Sequence, residues 1–161
     1  MDNPSQKSDQ RTAEGPYRIR FYENCGYSPA QRLVARAMVE IEERGFHDRR
    51  AGWPLPEGPC MAAIDKDGNA IGLLTYFGES DWQILLAYVS PEHRRKGIHN
   101  ALFNALVDKA KKQGNVISIN SSTHVNNLAA QAAFKAQGRV KVSINYSFRL
   151  KDWCDGTEPT E

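Results

Sequence analysis

Residues 82–103 constrain this chain more than any other stretch. An apolar run, 84–89, ends at Ser90-Pro91. Arg94, Arg95, Lys96 and Gly97 follow, and a pattern of helical spacing begins at Ile98. A short apolar run bounded by turn residues fits a buried strand. Strand, basic glycine loop and helix, in that order, bring backbone N–H groups and a helix N-terminus to a place where an anionic phosphate can dock. Taken alone, the loop reads better as a solvated basic turn before an ordinary helix, because charge clusters usually face solvent. Its meaning depends on what the flanking chain builds.

The chain has 161 residues, a length that suits one domain with a sizeable core. Its net charge is +2, and its basic clusters (Arg49-Arg50, Arg94 to Lys96, and Lys109 with Lys111-Lys112) are short. Each would supply few phosphate contacts, so no nucleic-acid partner is expected. Cys25, Cys60 and Cys154 are odd in number and lack metal-ligand spacing, as expected of free thiols in a reducing compartment, and no metal is expected. No apolar run approaches the roughly 18 residues of a membrane span, and the first ten residues lack the apolar segment of a signal peptide. These features predict a soluble cytoplasmic protein without a membrane partner.

Polar residues 1–16 predict a disordered leader, and 153–161 a polar tail. Between them, 17–22 alternates as a half-buried strand does, and Ser28-Pro29 predicts the start of a helix. That helix carries Leu33, Val34, Ala37, Met38 and Ile41, and stops at Gly45. Runs 60–64 and 70–77 flank Asp67-Gly68, a hairpin signal, and 82–89 completes a three-stranded meander. Asp65, Asp67 and Asn69 imitate the start of a calcium loop, but Ala70 and Tyr76 stand where glycine and a bidentate glutamate are needed. A helix from Ile98 to Gln113 with a Gly114 cap, a strand over 116–120, and a helix from Asn126 or Asn127 to Gly138 follow. Alternation over 139–150 predicts a last strand, or two with a tight break. The order β, α, β, β, β, α, β, α, β predicts a three-layer α/β domain over 17–152 with a mixed sheet.

Two segments carry a family resemblance. Val89-Ser-Pro-Glu-His-Arg-Arg-Lys-Gly-Ile-His resembles the strand-end valine and Gln/Arg-x-x-Gly-x-Gly/Ala of the GNAT superfamily of acyl-CoA-dependent N-acetyltransferases, with Arg94 and Gly97 in register. Asn127, Ala130, Phe134 and Gly138 resemble that family's Asn-x-x-Ala-x-x-x-Tyr-x-x-x-Gly-Phe. His99, Phe134 and Arg139 depart from it: they stand where the family prefers glycine or alanine, a thiolate-protonating tyrosine, and phenylalanine.

The resemblance implies a three-layer GNAT-like fold with a mixed, mostly antiparallel sheet flanked by helices. It implies acetyl transfer from acetyl-CoA to an amine of a small molecule or protein, by direct attack on the thioester. The loop Arg94, Arg95, Lys96, Gly97, Ile98, His99 and Asn100 would hold the pyrophosphate. Leu86, Ala87, Tyr88 and Val89 would pair with the pantetheine arm where the sheet splays. Asn127 and Phe134 would touch the arm; Asn127 also fits a plain helix cap. His99 fits a phosphate contact, a steric obstacle or a surface role.

With Phe134 unable to give a proton, Tyr146, His124 and Ser122 are candidates to protonate the thiolate, and Glu79 and Asp81 to relay the amine proton. Acceptor contacts would come from the first helix, the 46–58 loop and the last strand, where Phe46, His47, Trp53, Tyr76 and Tyr146 stand. A homodimer fits the resemblance. The competing reading is a catalytically silent acyl-CoA-binding or protein-interaction module on the same fold.

Overall fold

Alternating residues between turn signals assemble a mixed five-stranded sheet. In this computed structural model, which describes residues 15–46, 57–144 and 146, the strands lie in chain order. β1 (Tyr17–Tyr22), β2 (Cys60–Asp65), β3 (Ala70–Phe77) and β4 (Asp81–Val89) are antiparallel neighbours, and β5 (Ser118–Ser121) joins β4 in parallel. The helices are α1 (Gln31–Glu43), α2 (Ile98–Gln113) and α3 (Leu128–Ala136). The described residues form two compact units, 15–37 with 57–122, and 38–46 with 123–144 and 146.

In the first unit the β2–β3 hairpin turns on Asp65, whose Oδ1 accepts the N–H groups of Asp67 at 2.9 Å and Asn69 at 2.8 Å. Those bonds hold its carboxyl below the usual range and commit to the turn the oxygen that a calcium loop would need. α2 packs on the sheet with the stripe Ile98, Leu102, Leu106 and Ala110, one residue per turn, all buried. It packs closely because β3 carries Gly72, where a Cβ would meet Ile98 Cγ2 at 2.9 Å and Leu102 Cδ1 at 3.3 Å. Gly72→Val is therefore expected to lower stability by about 1–3 kcal/mol through overpacking. An unchanged urea midpoint would contradict this close approach.

β4 changes faces halfway. Tyr76 pairs with Ile84 but Thr75 with Leu86, so Leu85 is an extra residue, a β-bulge. Before it, Trp82 and Ile84 join the core under α2; after it, Ala87 and Val89 do, and Leu86 and Tyr88 are buried outside that cluster. Trp82 is 2% exposed, stacks on Tyr76 at a ring-centroid distance of 4.6 Å and donates Nε1–H to the Glu79 carbonyl at 3.2 Å.

Three boundaries differ from the predictions. A 3-10 turn, Cys25–Tyr27, precedes α1, and Ser28 closes that turn, so α1 begins at Gln31. β5 starts at Ser118 because Ile117 N–H is tied to the Ser80 carbonyl at 2.7 Å. Of the predicted last strand over 139–150, residues 139–144 and 146 form no strand, with Val140, Val142 and Ile144 exposed, and the remaining residues lie outside the described ones. Alternation marks residues able to line a buried face, but a strand also needs a backbone ladder to join.

In the second unit Asn127 caps α3, its Oδ1 accepting Ala130 N–H at 3.2 Å. Past the helix, the Arg139 guanidinium lies 4.5 Å from the Phe134 ring centroid. The predicted leader up to residue 14, the 153–161 tail, His47, Trp53 and Cys154 lie outside the described residues. Among the described residues, no helix is long and apolar enough to cross a membrane.

Candidate functional site

The sheet sets the geometry beside β4. β5 pairs with β4 only from Asp81 to Ile84, whereas β4 continues along β3 to Val89. The bulge at Leu85 sits where the parallel pairing ends. Leu86, Ala87, Tyr88 and Val89 therefore run on beyond the last β5 partner among the described residues.

Past Val89 the chain is locked before it turns. Ser90 is buried, and its hydroxyl and N–H both donate to the Ile71 carbonyl, at 2.8 and 3.0 Å. A 3-10 turn at Pro91–His93 redirects the backbone. Arg94 then reaches back: its Nε–H donates to the Val89 carbonyl at 2.9 Å, and its guanidinium lies 5.4 Å from the Tyr88 ring centroid. Lys96 Nζ donates to the Glu92 carbonyl at 3.1 Å.

Two left-handed residues complete the loop, Arg95 at φ 60° and Gly97 at φ 78°. Gly97 is the N-cap of α2 and supplies no side-chain cap, and a Cβ built there would meet nothing within 4 Å. The approach to the α2 N-terminus is thus open at Gly97, with exposed Arg95 and Lys96 beside it. N–H groups of a helix's first turn point outward along its axis and favour anions. Ile98 is buried in the core while Asn100 is exposed and His99 intermediate, so the helix is anchored by one residue of that turn.

The predicted pyrophosphate loop and pantetheine strand thus adjoin in the first unit, continuous through Ser90. Asn127 and Phe134 belong to the second unit, where the Asn127 side chain serves as a helix cap. The proposed proton carriers are dispersed. Glu79 is an exposed turn residue whose carbonyl receives Trp82, and Asp81 accepts the Ser118 hydroxyl at 2.5 Å. Ser122 is exposed past the end of β5. In the second unit His124 stacks on Phe46 at 5.4 Å and accepts Asn126 N–H through Nδ1 at 3.1 Å, and Tyr146 is 92% exposed.

Sequence reading missed a second feature of the first unit. A cavity of about 370 Å³ lies beside the 3-10 turn and the start of α1, bordered by Cys25, Arg32, Val34 and Glu57. Cys25 on its border is tied to buried Ser28, which stands 3.8 Å from buried Cys60, and Cys60 pairs with buried Thr75 in the β2–β3 register. Thr75 Oγ1 is buried with no hydrogen-bond partner. Clustering of residues distant in the chain leaves no local signal.

A parallel strand beside a bulged β4, a left-handed glycine opening α2 and a helix packed on the sheet make up the acyltransferase fold of the GNAT kind. The chain matches the acetyltransferase (GNAT) family over residues 29–138, more than half its length, and belongs to that family. It is an acyltransferase of GNAT type.

Solved structures share the fold. A possible acetyltransferase from Clostridium difficile 630 is 17% identical with a TM-score of 0.61, over 86% of this chain and 100% of that one. The aminoglycoside N-acetyltransferase AAC(6')-Iy, in complex with CoA, is 19% identical with a TM-score of 0.58, over 84% of this chain and 100% of that one. N-acetylglutamate synthase from Neisseria gonorrhoeae, complexed with coenzyme A and N-acetyl-glutamate, is 19% identical with a TM-score of 0.54, over 73% of this chain and 27% of that one. No curated protein matches the chain in sequence.

Proposed function

We propose that the protein transfers an acetyl group from acetyl-CoA to an amine, by direct attack of the amine on the bound thioester. The observation that carries this reading is β4 running past its last β5 partner into the Gly97-opened N-terminus of α2. A strand edge of that kind receives an extended amide chain as another strand would. The pantetheine arm has such amides, and Leu86 to Val89 are placed to receive them. The pyrophosphate then falls at the loop Arg94 to Asn100, where backbone N–H groups, the helix end and the charges of Arg95 and Lys96 favour an anion. His99 is a phosphate contact in this reading.

Holding thioester and amine together supplies much of the acceleration, because it removes the entropy of bringing two reactants into line. The cavity beside α1 suits the acceptor: Glu57 offers a carboxylate to an ammonium group, and Val34 an apolar wall. Glu79, His124 and Tyr146 remain candidate proton carriers, and buried thiols suit a cytosolic setting.

Phe134 favours a second reading, a silent acyl-CoA-binding module, since no hydroxyl stands at that position and Arg139 covers the ring. Calorimetric titration with acetyl-CoA, followed by thiol release over a panel of aminoglycosides, polyamines and amino acids, tests both. Binding and release of coenzyme A with at least one amine is expected. Binding without release across the panel supports the silent module, and absence of binding at millimolar acetyl-CoA defeats both readings.

A further inference from the structure

We infer that Cys25 and Cys60 form an oxidation site, a buried dithiol that a hydroperoxide converts to an intramolecular disulfide. Cys25 opens the 3-10 turn after β1, and Cys60 is the first residue of β2. Backbone bonds hold the two segments together: Tyr22 pairs with Cys60 in the β1–β2 register, and Cys25 N–H donates to the Gly58 carbonyl at 2.9 Å. Both thiols are fully buried, and Ser28 touches both residues. Ser28 fastens the arrangement. Its hydroxyl donates to the Cys25 carbonyl at 2.7 Å, accepts Ala30 N–H at 3.2 Å and stands 3.8 Å from Cys60 Sγ.

The pair has no evident part in the packing under α2, because neither cysteine belongs to that core cluster. Thr75, facing Cys60 in the β2–β3 register, buries an unpartnered hydroxyl on the same side. The result is a polar nest on the sheet face away from α2, with Cys25 bordering the cavity of about 370 Å³. That space is large enough for a small hydroperoxide, and the sulfur of Cys25, which is 0% exposed, is reached from it when the 3-10 turn shifts. The two thiols are also unequal. The hydrogen bond from Cys60, and then that from Ser28, hold the Cys25 thiol below its ordinary range against the opposing effect of burial; the bond to Cys25, burial and the neighbouring charge push Cys60 up.

Cys25 is therefore the attacking sulfur. Its thiolate takes the terminal oxygen of the hydroperoxide to become a sulfenic acid, and the O–O bond breaks to release an alcohol, or water from hydrogen peroxide. The Cys60 sulfur then displaces the sulfenic hydroxyl, which leaves as water by taking the Cys60 proton; the one solvent proton is used earlier, by the alkoxide or hydroxide that the thiolate releases from the peroxide. The two sulfurs together give up two electrons, and the peroxide is reduced by the same two. The bond would tie the 3-10 turn to the start of β2 and fix that wall of the cavity.

The test treats the full-length reduced protein with hydrogen peroxide and maps its peptides by mass spectrometry without reductant. A linked Cys25–Cys60 peptide, reversed by dithiothreitol and retained in Cys154→Ser, is expected. In Cys60→Ser, dimedone should trap a sulfenic acid at Cys25. Linkage only through Cys154, or both buried thiols surviving a dose that oxidises Cys154, would overturn the proposal; dimedone labelling of Cys60 in Cys25→Ser at the same rate would overturn the assignment of Cys25 as the attacking sulfur. The wild-type map decides the linkage even where a serine variant folds poorly.

Discussion

Gly97→Val is expected to weaken acetyl-CoA binding by at least about 100-fold, close to 3 kcal/mol at the usual conversion of 1.4 kcal/mol per decade. Two effects add. A non-glycine residue in the left-handed region costs roughly 1–2 kcal/mol, and a β-branched one is disfavoured further. The isopropyl group would also project into space that the protein leaves empty, since nothing lies within 4 Å of a Cβ at this position. No protein atom resists the side chain, so a folded variant is expected, and the loss should fall on the ligand. Gly97→Asn separates the two effects, because asparagine tolerates the left-handed conformation but still fills the approach. Calorimetric titration of both variants, with thermal melts to confirm folding, makes the measurement. A folded Gly97→Val with the wild-type dissociation constant would mean that the pyrophosphate docks elsewhere.

Trp82→Ala is expected to cost about 3–5 kcal/mol of folding stability, the range for truncating a large aromatic in a packed core. Small domains are stable by about 5–15 kcal/mol, so this single change consumes a large part of the margin. Trp82 is nearly inaccessible, stacks on Tyr76 and ties its indole N–H to the β3–β4 turn through the Glu79 carbonyl. Trp82→Phe keeps most of the apolar volume and loses that bond, at an expected cost nearer 1–2 kcal/mol including a small void. Urea unfolding followed by far-ultraviolet circular dichroism compares them without relying on the other tryptophans. Equal losses for the two variants would show that the hydrogen bond, not the packing, carries the role of Trp82.

Features legible in the sequence were those in which one local rule spoke alone. Asp67-Gly68 marked the β2–β3 hairpin, the four-residue stripe from Ile98 marked α2, and Gly97 and Gly114 marked its ends, both with positive φ. The basic loop and its strand were legible because they adjoin in the chain. The bulge at Leu85 was hidden, since Trp82, Ile84, Leu86 and Tyr88 are all buried and their alternation looks unbroken. Only the partner strand shows that these residues divide between two faces. Cys25 and Cys60 are brought into one buried group by the Tyr22–Cys60 strand pairing and the Cys25 N–H bond to Gly58, which no local pattern encodes. Alternation over residues 139–144 misled for the opposite reason: it records what a strand could bury without supplying a ladder for it to join.

The extra residue at Leu85 behaves like a single inserted letter in a text read two letters at a time. Every position downstream in β4 is read in a shifted frame, so one apolar run can supply two different rooms of the protein. Such a strand is insensitive to many exchanges of one apolar residue for another and sensitive to a change of count anywhere but at the bulge. Deleting Leu85 would remove the bulge and leave Leu86, Ala87, Tyr88 and Val89 on the faces they now hold. With the bulge kept, deleting any other residue between Trp82 and Val89 would shift part of the strand to the wrong face. Homologous chains that differ in length by one residue here should therefore be compared by face rather than by letter.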